Sequence, residues 1–290
     1  MSALPDSKLP FDVLPMTGSI GAEIAGIDLR EPLAPPVREA LLATFYRYQV
    51  IVLRDQPLSP DQHMALSAVF GPCMDLPHIP RVPGYDLLHQ VRREPDVTNR
   101  RVPGENWHAD STFLPSPPKA VVMRAVDVPA FGGDTVFTSM YAAFEALSDK
   151  LKELLSQMKA VHSATKVFGK QSLKQEPLLQ LREGLTTDQG DKETVHPVIC
   201  SHHEARRKHL FVNLTYTQRF DGMTVEESRP LLEYLCSVAT RPEFGCRVRW
   251  QNDTVVVWDN RSSMHRAVPD FLESFRYLQR TTIAGEAPHA

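Results

Sequence analysis

Thr254-Val255-Val256-Val257-Trp258-Asp259-Asn260-Arg261-Ser262-Ser263-Met264-His265 carries an apolar, β-branched tract into a polar turn and on to a histidine. The tract Thr254 to Trp258 reads as a buried strand, because β-branched side chains suit a pleated surface and a run without polar alternation needs cover on both faces. Seven further runs read as strands: Asp86 to Val91, Ala120 to Val128, Thr135 to Thr138, Val195 to Cys200, Leu210 to Leu214, Cys246 to Trp250 and Tyr277 to Ile283. Val50 to Leu53 is another buried strand, directly after a helix that the spacing of Ala40, Leu41, Leu42, Phe45 and Tyr46 predicts over Val37 to Tyr48. Ser59-Pro60-Asp61-Gln62 joins an N-cap serine, a proline at the first helical position and a glutamine three residues past the cap, and opens a helix that Gly71-Pro72 ends. Two more helical stretches interrupt the strands, Tyr141 to Met158 and one opened by the capping box Thr224-Val225-Glu226-Glu227. Strands spaced this unevenly do not build a βαβ repeat. The expectation is a mainly β fold with flanking helices, its antiparallel core of sandwich or jelly-roll type.

The rest of the chain sets limits on function. Its 290 residues are 42% apolar and 23% charged, the composition of a globular protein, and no internal repeat is evident. Thirty-two basic against 35 acidic residues give a net charge of −3, so no global positive field gathers nucleic acid or an anionic membrane, and a small metabolite is the expected partner. The basic cluster Arg92-Arg93 and Arg100-Arg101 is broken by Glu94 and Asp96, which argues against nucleic acid again. No apolar run approaches the roughly 20 residues that span a bilayer. The start Met1-Ser2-Ala3-Leu4-Pro5-Asp6 lacks the charged and apolar regions of a secretory signal, so a cytoplasmic protein is expected. Cys73, Cys200, Cys236 and Cys246 form no C-x-x-C pair and read as reduced, chemically idle thiols. We expect one domain over residues 1–290, with the polar, aperiodic segment Phe168 to Glu193 as a lid or insertion loop. Self-association into a homo-oligomer is compatible with all of this.

Asn106-Trp107-His108-Ala109-Asp110 places a histidine and an aspartate two apart, and in an extended segment such residues point to one side. His265 offers a third ligand. Two imidazoles and one carboxylate on one face of an octahedron leave positions open, the arrangement of non-haem Fe(II) oxygenases. Zinc would instead favour a closed tetrahedron or a hydrolytic three-ligand site, and His-x-Asp alone also describes a salt-bridged surface pair. Further on, Arg276 and Arg280 lie four apart on one strand and so on one sheet face, opposite Tyr277, Gln279 and Thr281. Two inward guanidinium groups need anions. His202-His203 and His209 border a segment, Ser201 to Lys208, that reads as a solvated turn and not as a second metal site, and His63, His89, His162 and His196 read as isolated.

Trp107-His108-Ala109-Asp110, Gly132-Gly133-Asp134-Thr135, Trp258-Asp259-Asn260-Arg261 with His265, and then Arg276 and Arg280, in this order, resemble the signature of the taurine dioxygenase and 2,4-dichlorophenoxyacetate dioxygenase family. The resemblance runs from about Leu14 to Gly285. It implies a double-stranded β-helix that uses Fe(II), 2-oxoglutarate and O2, and hydroxylates a small anionic substrate while releasing succinate and CO2. By the same resemblance His108, Asp110 and His265 are the metal ligands and the catalytic centre. Thr135 and Arg276 hold the distal carboxylate of 2-oxoglutarate, Arg280 receives the acidic group of the substrate, and His78 sits near a substrate-contacting histidine. The presence of Asp110 favours hydroxylation, since related halogenases lack that carboxylate. Ala120 to Ala125, Met264 to Asp270 and Arg276 to Thr282 look most like the phenoxypropionate (aryloxyalkanoate) dioxygenases, which implies hydroxylation beside an ether oxygen and cleavage to a phenol and pyruvate. The alternatives are a sulfonate dioxygenase of taurine type, or a non-catalytic metal-containing protein that captures a small carboxylate. Against taurine itself stand Pro77-His78-Ile79-Pro80-Arg81, where taurine dioxygenases have a His-rich tract, and Gly104, where they carry an asparagine.

Overall fold

A period of two divides the central strands between two environments. Val256 and Trp258 share one apolar cluster with Val50 and Val52, while Val255 and Val257 share another with Ile51 and Leu53. These strands are therefore buried on both faces, as unbroken valine runs require.

The computed structural model describes residues 9–77, 79–95, 102–168 and 190–290. In chain order its elements are β1 (Asp12–Pro15), β2 (Ala22–Ala25), α1 (Pro35–Tyr48), β3 (Val50–Leu53), α2 (Pro60–Phe70), β4 (Cys73–Met74), β5 (His89–Arg93), β6 (Ala120–Asp127), β7 (Thr135–Ser139), α3 (Met140–Glu145), α4 (Asp149–Ser156), β8 (Lys159–His162) and α5 (Thr165–Phe168). There follow β9 (Thr194–Pro197), β10 (Ile199–His202), β11 (Arg207–Leu210), β12 (Thr217–Phe220), α6 (Val225–Ala239), β13 (Gly245–Val248), β14 (Val255–Asp259), β15 (Ser263–Ala267) and β16 (Arg276–Ile283).

The fold is mainly β with helices outside. The large sheet runs β1-β2-β3-β14-β6-β16-β4, with β5 also paired to β16, and every pairing but β2 with β3 is antiparallel. A smaller sheet, β13-β7-β15, faces it, and Phe137, Cys246 and Val248 of that sheet pack against Val121, Val256, Trp258 and Leu278 of the large one. Helices α1 and α2 cover the outer face of the large sheet through Leu41, Phe45, Leu66 and Phe70. A third layer, around α3, α6 and strands β8 to β12, closes the other side of the small sheet through Met264 and Phe220. Among the described residues no helix is long and apolar enough to cross a membrane.

Local signals account for several boundaries. At α2, Ser59 Oγ accepts from Gln62 N–H (3.2 Å) while Gln62 Oε1 accepts from Ser59 N–H (2.8 Å), and Thr224 with Glu227 does the same at α6 (3.2 and 2.8 Å). The single helix expected over Tyr141 to Met158 is two, because Ser148 caps a new start: its Oγ accepts from Leu151 N–H at 3.4 Å. The strand expected over Val195 to Cys200 breaks after Pro197, which has no N–H to give a ladder. That expected over Leu210 to Leu214 ends at Leu210, where the Asn213 side chain accepts from Tyr216 N–H (2.8 Å) and turns the chain. Most of Phe168 to Glu193, the expected lid, lies outside the described residues.

His63, His162 and His209 are buried, and burial pushes His63 and His209 down to about 4 and His162 down to about 3. An unfolded histidine takes up its proton near pH 6.5. Between that pH and about 4 the unfolded chain therefore binds protons that the folded chain does not, and stability falls as pH falls. The urea midpoint should drop steadily from about pH 7 to about pH 4.5. A level or rising midpoint would contradict the burial of neutral imidazoles.

Candidate metal centre

His265 sits on β15, in register with Phe137 of β7. His108 belongs to no strand and docks onto β15 through an isolated two-way bridge: His108 N–H donates to His265 C=O (3.0 Å) and His265 N–H to His108 C=O (2.8 Å). Directly opposed residues of an antiparallel pair point to the same face. The two rings accordingly lie 4.4 Å apart between centroids. Asp110 follows two residues later, and its backbone is gripped by the Asn260 amide. One potential ligand atom from each of His108, Asp110 and His265 falls within 4.8 Å of the others. All three residues are at most 9% exposed, and Trp258 and Phe137 pack their rings against His265 at 4.9 and 5.8 Å.

The protonation states fit a cation. His108 Nδ1–H donates to Asn106 C=O (2.7 Å), which leaves a lone pair on Nε2. That lone pair faces Asp110 Oδ1 across 3.4 Å, so two acceptors confront each other unless a proton or a metal ion lies between them. Burial holds His265 down to about 3, so it is a neutral donor. Burial alone would raise Asp110, but the Arg280 guanidinium beside it keeps its carboxyl well below the usual range. Arg280 Nη2 donates to Asp110 Oδ2 (2.8 Å) and to Thr282 Oγ1 (3.1 Å). Two imidazoles and one ionised carboxylate form a donor set suited to ferrous iron.

Beside this trio, β16 turns Arg276 and Arg280 inward with Leu278, while Thr281 and Ile283 face α2 and its apolar cluster. Arg276 Nη2 donates to Gly133 C=O (3.0 Å), and its head lies 5.1 Å from the Phe271 ring and 5.9 Å from Trp250. The same Trp250 indole donates to Thr135 Oγ1 (3.0 Å), so Thr135 and Arg276 flank one wall. Gly133 has φ +68° and a Cβ there would lie 3.1 Å from Arg276 Nε, while Gly132 has φ +80° and a Cβ there would lie 2.8 Å from Asp270 C=O, which together account for the Gly132-Gly133 pair. Burial pulls Arg276 down to about 10, and its Nε has no partner. Among the described residues no carboxylate pairs with it. A buried guanidinium without an acidic partner is a place for an anion.

The taurine catabolism dioxygenase family TauD, TfdA matches residues 12–282. The chain belongs to that family. It is thus a 2-oxoglutarate-dependent non-haem iron dioxygenase, using Fe(II), 2-oxoglutarate and O2. It is 34% identical to the alpha-ketoglutarate-dependent sulfate ester dioxygenase of Pseudomonas putida, over 97% of this chain and 91% of that one, and 32% identical to an alkylsulfatase of Acinetobacter baylyi, over 93% and 84%. The (S)-phenoxypropionate/alpha-ketoglutarate-dioxygenase of Sphingobium herbicidovorans stands at 29%, over 95% and 96%. The crystal structure of a taurine dioxygenase from Burkholderia xenovorans superposes with a TM-score of 0.80 at 32% identity, covering 96% of this chain and 92% of that one. The order of likeness thus places sulfate-ester enzymes ahead of the aryloxyalkanoate enzyme that the sequence tracts favoured.

Of the other residues singled out in the sequence, His78 lies outside the described residues. His89, read as isolated, is fully buried and directly opposes Arg280 across the β5–β16 pairing, with Nε2 3.1 Å from Asp75 Oδ1. His202 and His209, expected on a solvated turn, are buried; only the hairpin tip between them faces solvent, and His202 Nε2–H donates to Asp259 Oδ2 (2.8 Å). Only the apolar ends Ile199-Cys200 and Leu210 hint at that hairpin in the sequence, and the charges of Glu204, Arg206 and Arg207 between them mark the tip.

Methionine at position 276 needs no counter-ion. Arg276→Met should leave the ligand-free protein as stable as the parent or up to about 2 kcal/mol more stable. It should also erase the rise in melting temperature that Mn(II) with 2-oxoglutarate confers on the parent. A variant stabilised by 2-oxoglutarate as strongly as the parent would place the cosubstrate elsewhere.

Proposed function

We propose that the chain is a single-domain, double-stranded β-helix oxygenase that hydroxylates an organic sulfate ester or sulfonate on the carbon bearing the sulfur-containing group. The observation that carries this is the pair of inward arginines beside one metal trio, which provides for two anions, the cosubstrate and an anionic substrate. The sulfur chemistry is supported by the sulfate-ester enzymes among the relatives. For a sulfate ester, inserting oxygen into the C–H bond beside the ester oxygen gives a hemiacetal sulfate. That species collapses by C–O cleavage to an aldehyde and sulfate; a sulfonate gives an aldehyde and sulfite by C–S cleavage.

Bound Fe(II), with 2-oxoglutarate and O2, supplies the oxidising power and yields succinate and CO2. The protein's own contribution is placement. His108 and His265 present neutral nitrogens, and Asp110 adds one negative charge. Arg276 takes the distal carboxylate of 2-oxoglutarate in a two-pronged, charge-assisted contact, and the Thr135 hydroxyl, fixed by Trp250, lines the same end. Arg280 receives the substrate anion. Because it already reaches Asp110, an anion bound there lies close to the metal ligands. Trp258 and Phe137 keep water from the histidine wall.

A second reading, an aryloxyalkanoate substrate, rests on the 29% likeness to the phenoxypropionate enzyme. Anaerobic loading with Fe(II) and 2-oxoglutarate, followed by aeration with alkyl sulfates, alkanesulfonates and aryloxypropionates, separates the two. Sulfate or sulfite formed in step with succinate supports the proposal, whereas a phenol in step with succinate replaces it. With the productive substrate, Arg280→Met should lower kcat/KM on the order of 10- to 100-fold, while succinate released without product continues. An unchanged kcat/KM would remove Arg280 from the substrate pocket.

A further inference from the structure

Asn260 is fully buried and spends its whole amide on two stretches of backbone. Its Oδ1 accepts from Asp110 N–H (2.6 Å), and its Nδ2 donates to Asp110 C=O (2.9 Å) and to Pro118 C=O (3.0 Å). Asp110 lies outside every strand, and the next residue, Ser111, has φ +50°, a conformation that side-chain-bearing residues adopt at a cost. No ladder therefore fixes the Asp110 backbone. Asn260 does so, holding the peptide groups on both sides of the Asp110 Cα, and with them the direction in which the carboxylate leaves the chain.

The grip has a firm base. Asn260 directly follows β14, and its own N–H donates to Lys119 C=O (3.0 Å). Asp259, just before it, is buried and takes Arg261 Nη2 (2.7 Å) and His202 Nε2 (2.8 Å) on its carboxylate. Its N–H donates to Gln49 C=O (2.8 Å). Through Asn260, this charged bracket on a central strand of the large sheet is coupled to a loop residue that strand pairing leaves loose.

We propose that Asn260 is a positioning residue for the metal carboxylate: by clamping the Asp110 backbone at two points it sets the carboxylate against His108 and His265, without touching the ion. The proposal rests on the metal reading of this trio. A residue needed only to satisfy buried polar groups would affect folding stability and leave metal affinity alone. A positioning residue affects metal affinity, and does so only while Asp110 is there to be positioned.

The test is Mn(II) titration of the full chain in the presence of 2-oxoglutarate, followed by loss of the free-ion EPR signal. It compares the parent with Asn260→Ala, Asn260→Asp, Asp110→Ala and the double variant Asn260→Ala/Asp110→Ala. Asn260→Asp keeps shape and acceptor but loses the donor, and serves if Asn260→Ala fails to fold. Each folded Asn260 variant should bind Mn(II) on the order of 10- to 100-fold more weakly than the parent, the usual cost of losing an outer partner of a ligand. In the Asp110→Ala background the further loss should be under about twofold. Affinity within about twofold of the parent in a folded Asn260 variant would overturn the proposal, as would a full further loss in the absence of Asp110. A parent that binds no Mn(II), or binds it as well after Asp110→Ala, would overturn the metal reading itself, a pattern distinct from either.

Discussion

Two backbone hydrogen bonds between His108 and His265 hold the site together. They join a loop before β6 to a strand near the end of the chain, across most of the intervening sequence. Closing so long a loop costs entropy that one bridge does not offset. The offset comes from β15, already registered on β7 and backed by Phe137, and from the large sheet facing it. The small sheet supplies His265 and docks His108. The large sheet supplies the arginines, and the end of β14 supplies the bracket for Asp110. The chemistry is confined to the place where the two sheets face each other.

That place is electrostatically incomplete in the bare protein. Arg280 has Asp110 for a partner, whereas among the described residues Arg276 has a carbonyl and two aromatic faces but no carboxylate in ion-pair contact, the nearby Asp134 being taken by Arg247. His108 Nε2 and Asp110 Oδ1 face each other across 3.4 Å, a gap that a proton or a metal ion can bridge. A fold selected for stability alone would bury none of these groups in this state. On the function proposed here, each deficit would be met by one component of the reaction: the histidine and carboxylate donors by a ferrous ion, and Arg276 by the distal carboxylate of 2-oxoglutarate. Stability forgone here is recovered as binding, the usual trade at an active site.

Much of this was legible in the sequence. The β-branched tracts gave the central strands because burial on both faces leaves a plain compositional mark, and the caps at Ser59 and Thr224 gave helix starts because a cap is chemistry local to four residues. His108, Asp110 and His265 stood out by type and spacing, and the interval of four put Arg276 and Arg280 on one face. Long-range pairings left weaker marks. Strands β8, β12 and β15 are short and mixed in composition, and only their partners make them strands. His89 looked isolated because its neighbour Arg280 is reached across a sheet. His202 looked solvated because its charged neighbours Glu204, Arg206 and Arg207 mark only the hairpin tip. Asn260 stood inside the Trp258-Asp259-Asn260-Arg261 tract of the family signature, but its grip on the Asp110 backbone was not legible, because that contact spans 150 residues of sequence.

The central claim is that His108, Asp110 and His265 meet around a single divalent ion. Anomalous diffraction from crystals grown with Mn(II) and 2-oxoglutarate tests it most directly. The account predicts one strong peak about 2.0–2.3 Å from a nitrogen of each histidine and from an Asp110 oxygen, with 2-oxoglutarate reaching toward Arg276. A peak bound by other side chains, or by fewer than these three, would contradict it.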